Sequence, residues 1–356
     1  MGPFEFCYKS IRTMDQFENC ELNKGNDTQS TYKNNVTTIF FIGFQNQEKL
    51  NLFLFPFFLI IYFMTIIGNF LIIILVSYSK VLHSPMYFFL SQLSISDIIL
   101  TSNITPNMLN IVLHERTSIS LSECLTQYYF FSLLETVECF LLTVMSYDRY
   151  LAICSPLRYA TIMNHMLCIR LVLTSWLLSC SVALMLTLSM RQLQFCGPNT
   201  IDHFFCDFYP LVELACSDVS IIQLESTVLS IPVLLVPFLV IVISYTYIVL
   251  TILKIPSFSG RAKTFSTCSS HLTVVSIFYG TLITMYMIPN SGQSQIVSKM
   301  LALLYTVFTP FLNPFIYSLR NKNIKDDYGY LTNNKQTFTF IISVTIGFYI
   351  RGTHIS

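Results

Sequence analysis

Charged side chains are scarce in this 356-residue sequence. They make up 11% of the residues, whereas a soluble chain carries about 25%. Hydrophobic residues make up 53% of the chain, which contains 31 phenylalanines and 20 tyrosines. Aromatic side chains suit both lipid and the membrane interface. With a net charge of +1 and no basic run, the chain has no feature that predicts a nucleic-acid partner. The composition therefore predicts an integral membrane protein.

Other features are absent as well. Residues 1–50 are polar and mixed in charge, and they lack the apolar core of a cleavable signal peptide, so we expect the first apolar span to direct insertion. No hydrolase triad, phosphate-binding loop or zinc-enzyme motif is present, which argues against an enzyme. The lack of an internal repeat argues against a transporter, since many transporter folds are built from duplicated halves.

Seven continuous apolar stretches are long enough to cross a bilayer as helices. They lie at about 52–78, 86–112, 125–153, 168–190, 223–253, 264–288 and 297–319. Strands of a membrane barrel would instead alternate in polarity over about ten residues. The sequence thus predicts an all-α membrane protein, a seven-transmembrane helix bundle over 52–319, with an N-terminal tail over 1–51 and a C-terminal tail over 320–356.

Basic residues predict the orientation, because lysine and arginine are enriched in cytoplasmic loops. With the N-terminus outside, the inner loops and proximal tail collect Lys80, Arg158, Arg170, Lys254, Arg261, Lys263, Arg320, Lys322 and Lys325. The loops on the other side carry mainly Arg116 and Arg191. Two glycosylation acceptors, Asn26 and Asn35, lie in the tail predicted to be extracellular. Seven spans with the N-terminus outside and the C-terminus inside are the layout of a G-protein-coupled receptor.

Five motifs then resemble one family, the odorant receptors of the rhodopsin-like superfamily. In chain order they are LHSPMYFFLS (82–91) with Asp97, MSYDRYLAICSPLRY (145–159), Ser244-Tyr245, KTFSTCSSHL (263–272) and PFLNPFIYSLRN (310–321). Any one of them could arise by chance, but five in the right order are highly specific.

The resemblance implies a receptor that binds a small volatile or water-borne odorant within the bundle. It implies activation of a heterotrimeric stimulatory G protein, a rise in cyclic AMP, and a multi-pass place in the plasma membrane, at the cilia of olfactory sensory neurons. A related chemosensory receptor outside the nose is an alternative. A small-solute transporter is another alternative. It would need a continuous polar path across the membrane, and the predicted spans contain only three buried carboxylates, clustered at two depths, which do not form such a path.

The same resemblance assigns an activation switch at the inner ends of the helices. Arg149 is expected to become a docking point for the G protein, with Tyr245 and Tyr317 moving toward it and with a helix distortion at Asn313-Pro314. An interfacial arginine that merely snorkels is the simpler interpretation. The residues assigned to the switch are Asp148, Arg149, Tyr150, Tyr245, Asn313, Pro314 and Tyr317.

Three carboxylates lie deep within predicted spans: Asp97, Glu135 and Glu138. Such groups are costly in a membrane and usually mark function. Glu138 lies eleven residues before Arg149, roughly 16 Å along a helix, and Glu135 is one turn further out. By resemblance, Asp97 and Glu138 form a sodium site with Asn69 and Asn313 as neighbours. Alternatively, both acids are protonated and hydrogen-bonded between helices.

Glu135 lies at the depth where odorant receptors bind ligands. There it could pair with an amine, or remain neutral and donate a hydrogen bond to an oxygenated odorant, so we expect a bias toward polar or basic ligands. The predicted pocket is otherwise apolar or hydroxylic, as a small volatile molecule requires. Its residues are Phe131, Ser132, Glu135, Thr136, Leu229, Val233, Tyr279, Leu282, Ile283 and Tyr286.

The eleven cysteines divide by location. Cys139, Cys154, Cys168, Cys180 and Cys268 lie in spans or on the reducing inner side and are expected to be thiols. By resemblance, Cys124–Cys206 ties the third helix to the second outer loop, and Cys196–Cys216 is an extra bridge within that loop. Zinc binding by these cysteines with His203 is an alternative, because one sequence cannot fix connectivity. Cys7 and Cys20 have no obvious partner.

The C-terminal end departs from the family pattern. Acidic residues interrupt the chain at Asp326-Asp327, and an atypical apolar run follows over 336–350. This run is too short for an eighth span. It could lie at the membrane interface, but a reading frame that continues past a splice site is the interpretation we favour.

Overall fold

A computed structural model describes residues 36–43, 48–79, 82–114, 116–196, 199–287 and 295–320. Helices occupy most of these residues. They are α1 (Glu48–Tyr78), α2 (Pro85–His114), α3 (Leu121–Cys154), the short α4 (Pro156–Ile162), α5 (His165–Arg191), the short α6 (Phe208–Glu213), α7 (Ser220–Leu253), α8 (Phe258–Met287) and α9, which joins Gln295–Leu303, Leu304–Phe308 and Thr309–Arg320. The predicted glycosylation sites Asn26 and Asn35, the cysteines Cys7 and Cys20, and the apolar run 336–350 lie outside the described residues.

The long helices have the composition of membrane spans. Four of them (α1, α3, α5 and α7) and the Lys299–Tyr317 part of α9 are apolar over a length that crosses a bilayer. Helix α8 contributes a shorter apolar stretch, Cys268–Thr284. Helix α2 is more polar, but it buries residues such as Asp97 and Thr101 and packs against α1 and α3. Every predicted span coincides with a helix, and the seven-helix bundle is confirmed.

The helices begin before the predicted spans, most clearly α8, which starts at Phe258 rather than 264. Hydropathy marks where a helix enters hydrocarbon, whereas capping sets where it begins. At α3 the hydroxyl of Ser120 accepts from the backbone N–H of Glu123 at 3.2 Å, and the Glu123 carboxylate accepts from the N–H of Ser120 at 2.9 Å. This capping box adds a polar turn to an apolar helix.

The distortion predicted at Asn313-Pro314 involves a neighbouring helix. Pro314 has no N–H, so the carbonyl of Pro310, one turn earlier, loses its helical partner. The side-chain amide of Asn69 in α1 donates to this carbonyl at 3.1 Å. Gly68 permits the approach, because a Cβ there would lie 3.0 Å from Cβ of Pro314. The backbone itself widens earlier, in the π-helical turn Leu304–Phe308.

Replacing Asn69 with leucine should lower the melting temperature of the purified protein in detergent. The substitution keeps the volume but leaves a buried carbonyl without a donor, a cost of about 1–3 kcal/mol. Asn110→Leu is the matched control, since Asn110 lies on α2 and is exposed. Equal melting temperatures for Asn69→Leu and the native protein would contradict this account.

A small sheet covers one end of the bundle, which is the extracellular end in the predicted orientation. Strand β1 (Thr38–Ile42) lies between β2 (Arg116–Ser120), to which it is antiparallel, and β3 (Thr200–Ile201), to which it is parallel. Ile39 and Phe41 point inward and are completely buried. Part of the segment predicted as an N-terminal tail over 1–51 is thus a strand, and α1 already begins at Glu48.

Candidate ligand-binding and signalling site

Two disulfides hold the second outer loop against the bundle. Cys124 pairs with Cys206, with 5.6 Å between their Cα atoms, and Cys196 pairs with Cys216, with 5.8 Å. Both pairs are those that the resemblance implied. The alternative, zinc binding by these cysteines with His203, would need free thiolates. All four cysteines are paired, and no cluster that could hold a metal occurs among the described residues.

Polar contacts reinforce the first disulfide. Gln127 in α3 and Asn103 in α2 each donate a side-chain amide to the other's backbone carbonyl, at 3.0 Å. The remaining amide oxygen of Gln127 accepts from the backbone N–H of Cys206, also at 3.0 Å. Two helices and the loop are therefore joined at one point, directly above the interior of the bundle.

A cavity of about 150 Å³ lies below this junction. An engineered cavity of that size in another protein admits a benzene-sized molecule, so this one suits a small organic ligand. It is bounded by α3, α5, the second outer loop, α7, α8 and α9. The lining residues are Tyr128, Phe131, Ser132, Glu135, Thr136, Cys139, Val182, Leu186, Asp207, Phe208, Ser226, Leu229, Ser230, Val233, Leu234, Leu282 and Tyr305.

Most of the predicted pocket residues line this cavity, but some do not. Phe131, Ser132, Glu135, Thr136, Leu229, Val233 and Leu282 are among the lining residues. Tyr279 is buried against Phe238, with ring centroids 5.1 Å apart, and does not line the cavity. Ile283 is 44% exposed on the outside of α8. The side chain of Tyr286 lies outside the described part of the chain.

Ten lining residues lie outside the predicted pocket set, and Asp207 is the one acid among them. Its position directly after Cys206 was the signal in the sequence, because the Cys124–Cys206 bridge brings it beside α3. Its carboxylate caps α6 by accepting from the N–H of Phe208 at 2.7 Å. Burial raises the pKa of Asp207 to about 6, because removal from water disfavours the charged form.

The two deeper carboxyl groups, Asp97 and Glu138, lie together beneath the cavity. Both are buried and within hydrogen-bonding reach of each other. The amide of Asn313 donates to both oxygens of Asp97, at 3.2 and 3.0 Å. One oxygen of Glu138 and the amide oxygen of Asn313 are buried without a partner in the described structure. Asn69 directs its amide at the carbonyls of Thr65 and Pro310 instead of at Asp97.

The inner end of α3 carries a closed polar cluster. The Arg149 guanidinium pairs with the carboxylate of Asp148, with Nε 2.9 Å from Oδ2. The hydroxyl of Tyr159, in α4, donates to the other oxygen of Asp148 at 2.8 Å. Arg149 is 9% exposed, so it is held in the protein instead of snorkelling to the interface.

The predicted switch tyrosines are not in contact with Arg149 through hydrogen bonds. Tyr245 bonds to Nδ1 of His271 in α8 at 2.6 Å, and the hydroxyl of Tyr317 is buried without a partner in the described structure. Tyr150 packs its ring 5.9 Å from that of Tyr247. Sequence reasoning missed Tyr159 and His271 as functional residues, although both lie inside the quoted motifs.

Comparison with known proteins decides the family. The family model described as olfactory receptor matches residues 58–333. Olfactory receptor 11L1 of Homo sapiens is 50% identical over 291 residues, 82% of this chain and 90% of that protein. Olfactory receptor 1E1 of Pan troglodytes is 44% identical over 303 residues, 85% of this chain and 96% of that protein. The chain belongs to the olfactory receptor family.

Membership of the olfactory receptor family gives the class of protein to which the cavity and the inner cluster belong. Olfactory receptors are multi-pass membrane proteins and G-protein-coupled receptors, not enzymes. In the predicted orientation the cavity lies toward the extracellular end of the bundle, and the Asp148-Arg149 pair lies at the cytoplasmic end of α3.

The receptor's outer loop is also tied to α9. Lys299 is 5% exposed, donates to the carbonyl of Gly43 at 3.2 Å and pairs with the carboxylate of Asp202. His203, the next residue, is buried and holds its ring against Phe205, with centroids 4.6 Å apart. Burial lowers the pKa of His203 to about 4, because the charged imidazole is disfavoured away from water.

Acidification should therefore weaken the receptor through His203. An unfolded histidine titrates near 6.5. Between pH 6.5 and about 4 the unfolded state therefore binds more protons than the folded state, and the free energy of unfolding decreases as the pH is lowered. Asp207, whose pKa of about 6 is raised from 3.8, acts in the opposite direction. We expect the melting temperature of the native receptor relative to His203→Gln to fall between pH 7 and pH 5. A constant difference would contradict the buried neutral histidine.

Proposed function

We propose that this receptor binds a small odorant in the cavity below the second outer loop and activates a stimulatory G protein, which raises cyclic AMP. The observation that carries the proposal is the cavity itself, which is small, largely apolar and lined by five long helices that continue to the inner face. A ligand with higher affinity for the active arrangement shifts the population toward it.

In this mechanism the inner cluster of Asp148, Arg149 and Tyr159 represents the inactive, resting receptor. In it the charge of Arg149 is neutralised by Asp148, and Tyr159 holds that carboxylate from the other side. Release of Arg149 exposes a cationic group with five donors to a docking protein. We place the receptor in the plasma membrane of olfactory sensory neurons, at their cilia, where odorants arrive.

A sodium ion is proposed beneath the ligand. The oxygens of Asp97, Glu138 and Asn313 suit a hard cation, and two of them have no partner in the described structure. Bound there, the ion would compensate the carboxylate charge. These residues hold α2, α3 and α9 together, while Asn69 fastens α1 to α9 close by.

Tyr159→Phe should raise basal cyclic AMP. It removes one hydrogen bond to Asp148 that is present in the resting cluster; a net loss of about 1 kcal/mol corresponds to an active population about fivefold larger. The measurement is cyclic AMP in transfected cells without ligand, normalised to surface receptor. Tyr147→Phe is the control, because Tyr147 is an exposed tyrosine of the adjoining helix α3.

Arg149→Ala tests the coupling itself. We expect a panel of odorants to raise cyclic AMP through the native receptor and not through Arg149→Ala at equal surface density. A variant that signals as well as the native receptor would overturn the proposed role of Arg149.

A further inference from the structure

The charge of the cavity is one-sided. Glu135 and Asp207 both line it, and the lining residues include no lysine, arginine or histidine. The two carboxyl groups are near enough to interact electrostatically. A charge taken from water is costly unless it is paired. Among the described lining residues none carries a positive charge that could pair with Glu135 or Asp207.

Glu135 offers a free acceptor. One of its carboxyl oxygens is buried and has no hydrogen-bond partner among the described residues. The nearby Thr136 hydroxyl does not satisfy it, because that hydroxyl donates to the backbone carbonyl of Ser132 at 2.8 Å. Unsatisfied buried acceptors are rare in proteins, and this one belongs to a side chain that lines the cavity.

Asp207 offers a second acceptor further out. One of its oxygens accepts from Phe208, and the other has no hydrogen bond within the described structure. The disulfide places Asp207 beside the first turn of α3, whereas Glu135 lies eleven residues beyond Cys124, roughly 16 Å of helical rise. The two carboxyl groups thus lie at different depths of one cavity.

We propose that the ligand of this receptor is a small protonated amine whose ammonium group pairs with Glu135, and that Asp207 provides a second anchor that favours diamines over monoamines. The proposal rests on the ligand-binding role proposed above for the cavity. An ammonium group has three donors and no acceptor, which complements a cavity with two acids and no base.

The rest of the lining fits the carbon chain of such a ligand. Phe131, Leu229 and Val233 give apolar contacts between the two acids. Tyr128 and Tyr305 add aromatic rings, whose faces attract cations. A neutral alcohol can donate one hydrogen bond to a carboxylate but brings no charge to balance it, so it is the rival ligand class.

The test compares three probes with one carbon skeleton: cadaverine, pentylamine and pentanol. Binding is measured as the rise in melting temperature of the purified receptor in detergent, and signalling as cyclic AMP in cells. We expect cadaverine to act at the lowest concentration, then pentylamine, with pentanol last. Loss of one ionic contact should raise the half-maximal concentration about tenfold, corresponding to about 1.4 kcal/mol.

The variants separate the two anchors. Glu135→Gln should weaken both amines, whereas Asp207→Asn should weaken cadaverine and leave pentylamine unchanged. Glu213→Gln is the matched control, because Glu213 is an exposed acid of the same loop that does not line the cavity. Melting without ligand shows whether each variant folds; if Glu135→Gln does not, the response of Asp207→Asn decides alone.

The outcomes are distinct. The proposal is overturned if pentanol binds as well as pentylamine, or if Asp207→Asn weakens both amines equally. Signalling by neutral odorants without binding of either amine would also overturn it, while leaving the receptor function intact. Conversely, amines that stabilise the purified receptor without changing cyclic AMP would support the proposal and contradict the stimulatory coupling.

Discussion

In a bilayer, polar groups must be satisfied within the protein, because hydrocarbon offers no hydrogen bonds. Helix α3 is the element that most depends on this constraint. It carries Glu135, Glu138, Asp148 and Arg149 within a length that crosses the membrane, and each level is enclosed by a different set of neighbours. Where the neighbours complete the pairing, as Tyr159 does for Asp148, the helix is locked. Where they do not, as at Glu135, a buried oxygen has no hydrogen-bond partner in the described structure.

The same constraint explains how the helix junctions are built. Pro314 deprives the carbonyl of Pro310 of its donor, and the amide of Asn69 replaces it from another helix. Asn103 and Gln127 exchange amide contacts between α2 and α3, and Gln127 also holds the loop at Cys206. Polar side chains inside this bundle thus satisfy the backbone of a neighbouring helix as well as one another, and in doing so they join the helices.

The sequence predicted the fold well, because apolar runs of span length and the order of five motifs leave little freedom. The inward face of α3 also follows from the sequence, since Phe131, Glu138 and Arg149 lie seven and eleven residues apart, a helical spacing, and all three are buried. Tyr279 and Ile283 were predicted in the pocket but do not line the cavity. The rotation of α8 about its axis is set by packing, and the sequence of a helix with apolar residues on most sides does not reveal that rotation. Asp207 escaped because a loop has no periodicity; only the disulfide brings it into the cavity.

The irregular turns of α7 and α9 connect the two ends of the molecule. Both are π-helical, at Ile231–Leu235 and Leu304–Phe308, a geometry that is frequent at functional sites. Val233 and Leu234 of the first turn and Tyr305 of the second line the cavity. Further along, the same helices carry Tyr245, which bonds to His271, and Asn313, which holds Asp97. A ligand in the cavity would therefore contact α7 and α9 at their π-helical turns. Movement of these two helices would reach the inner cluster without a continuous chain of side chains between Glu135 and Arg149.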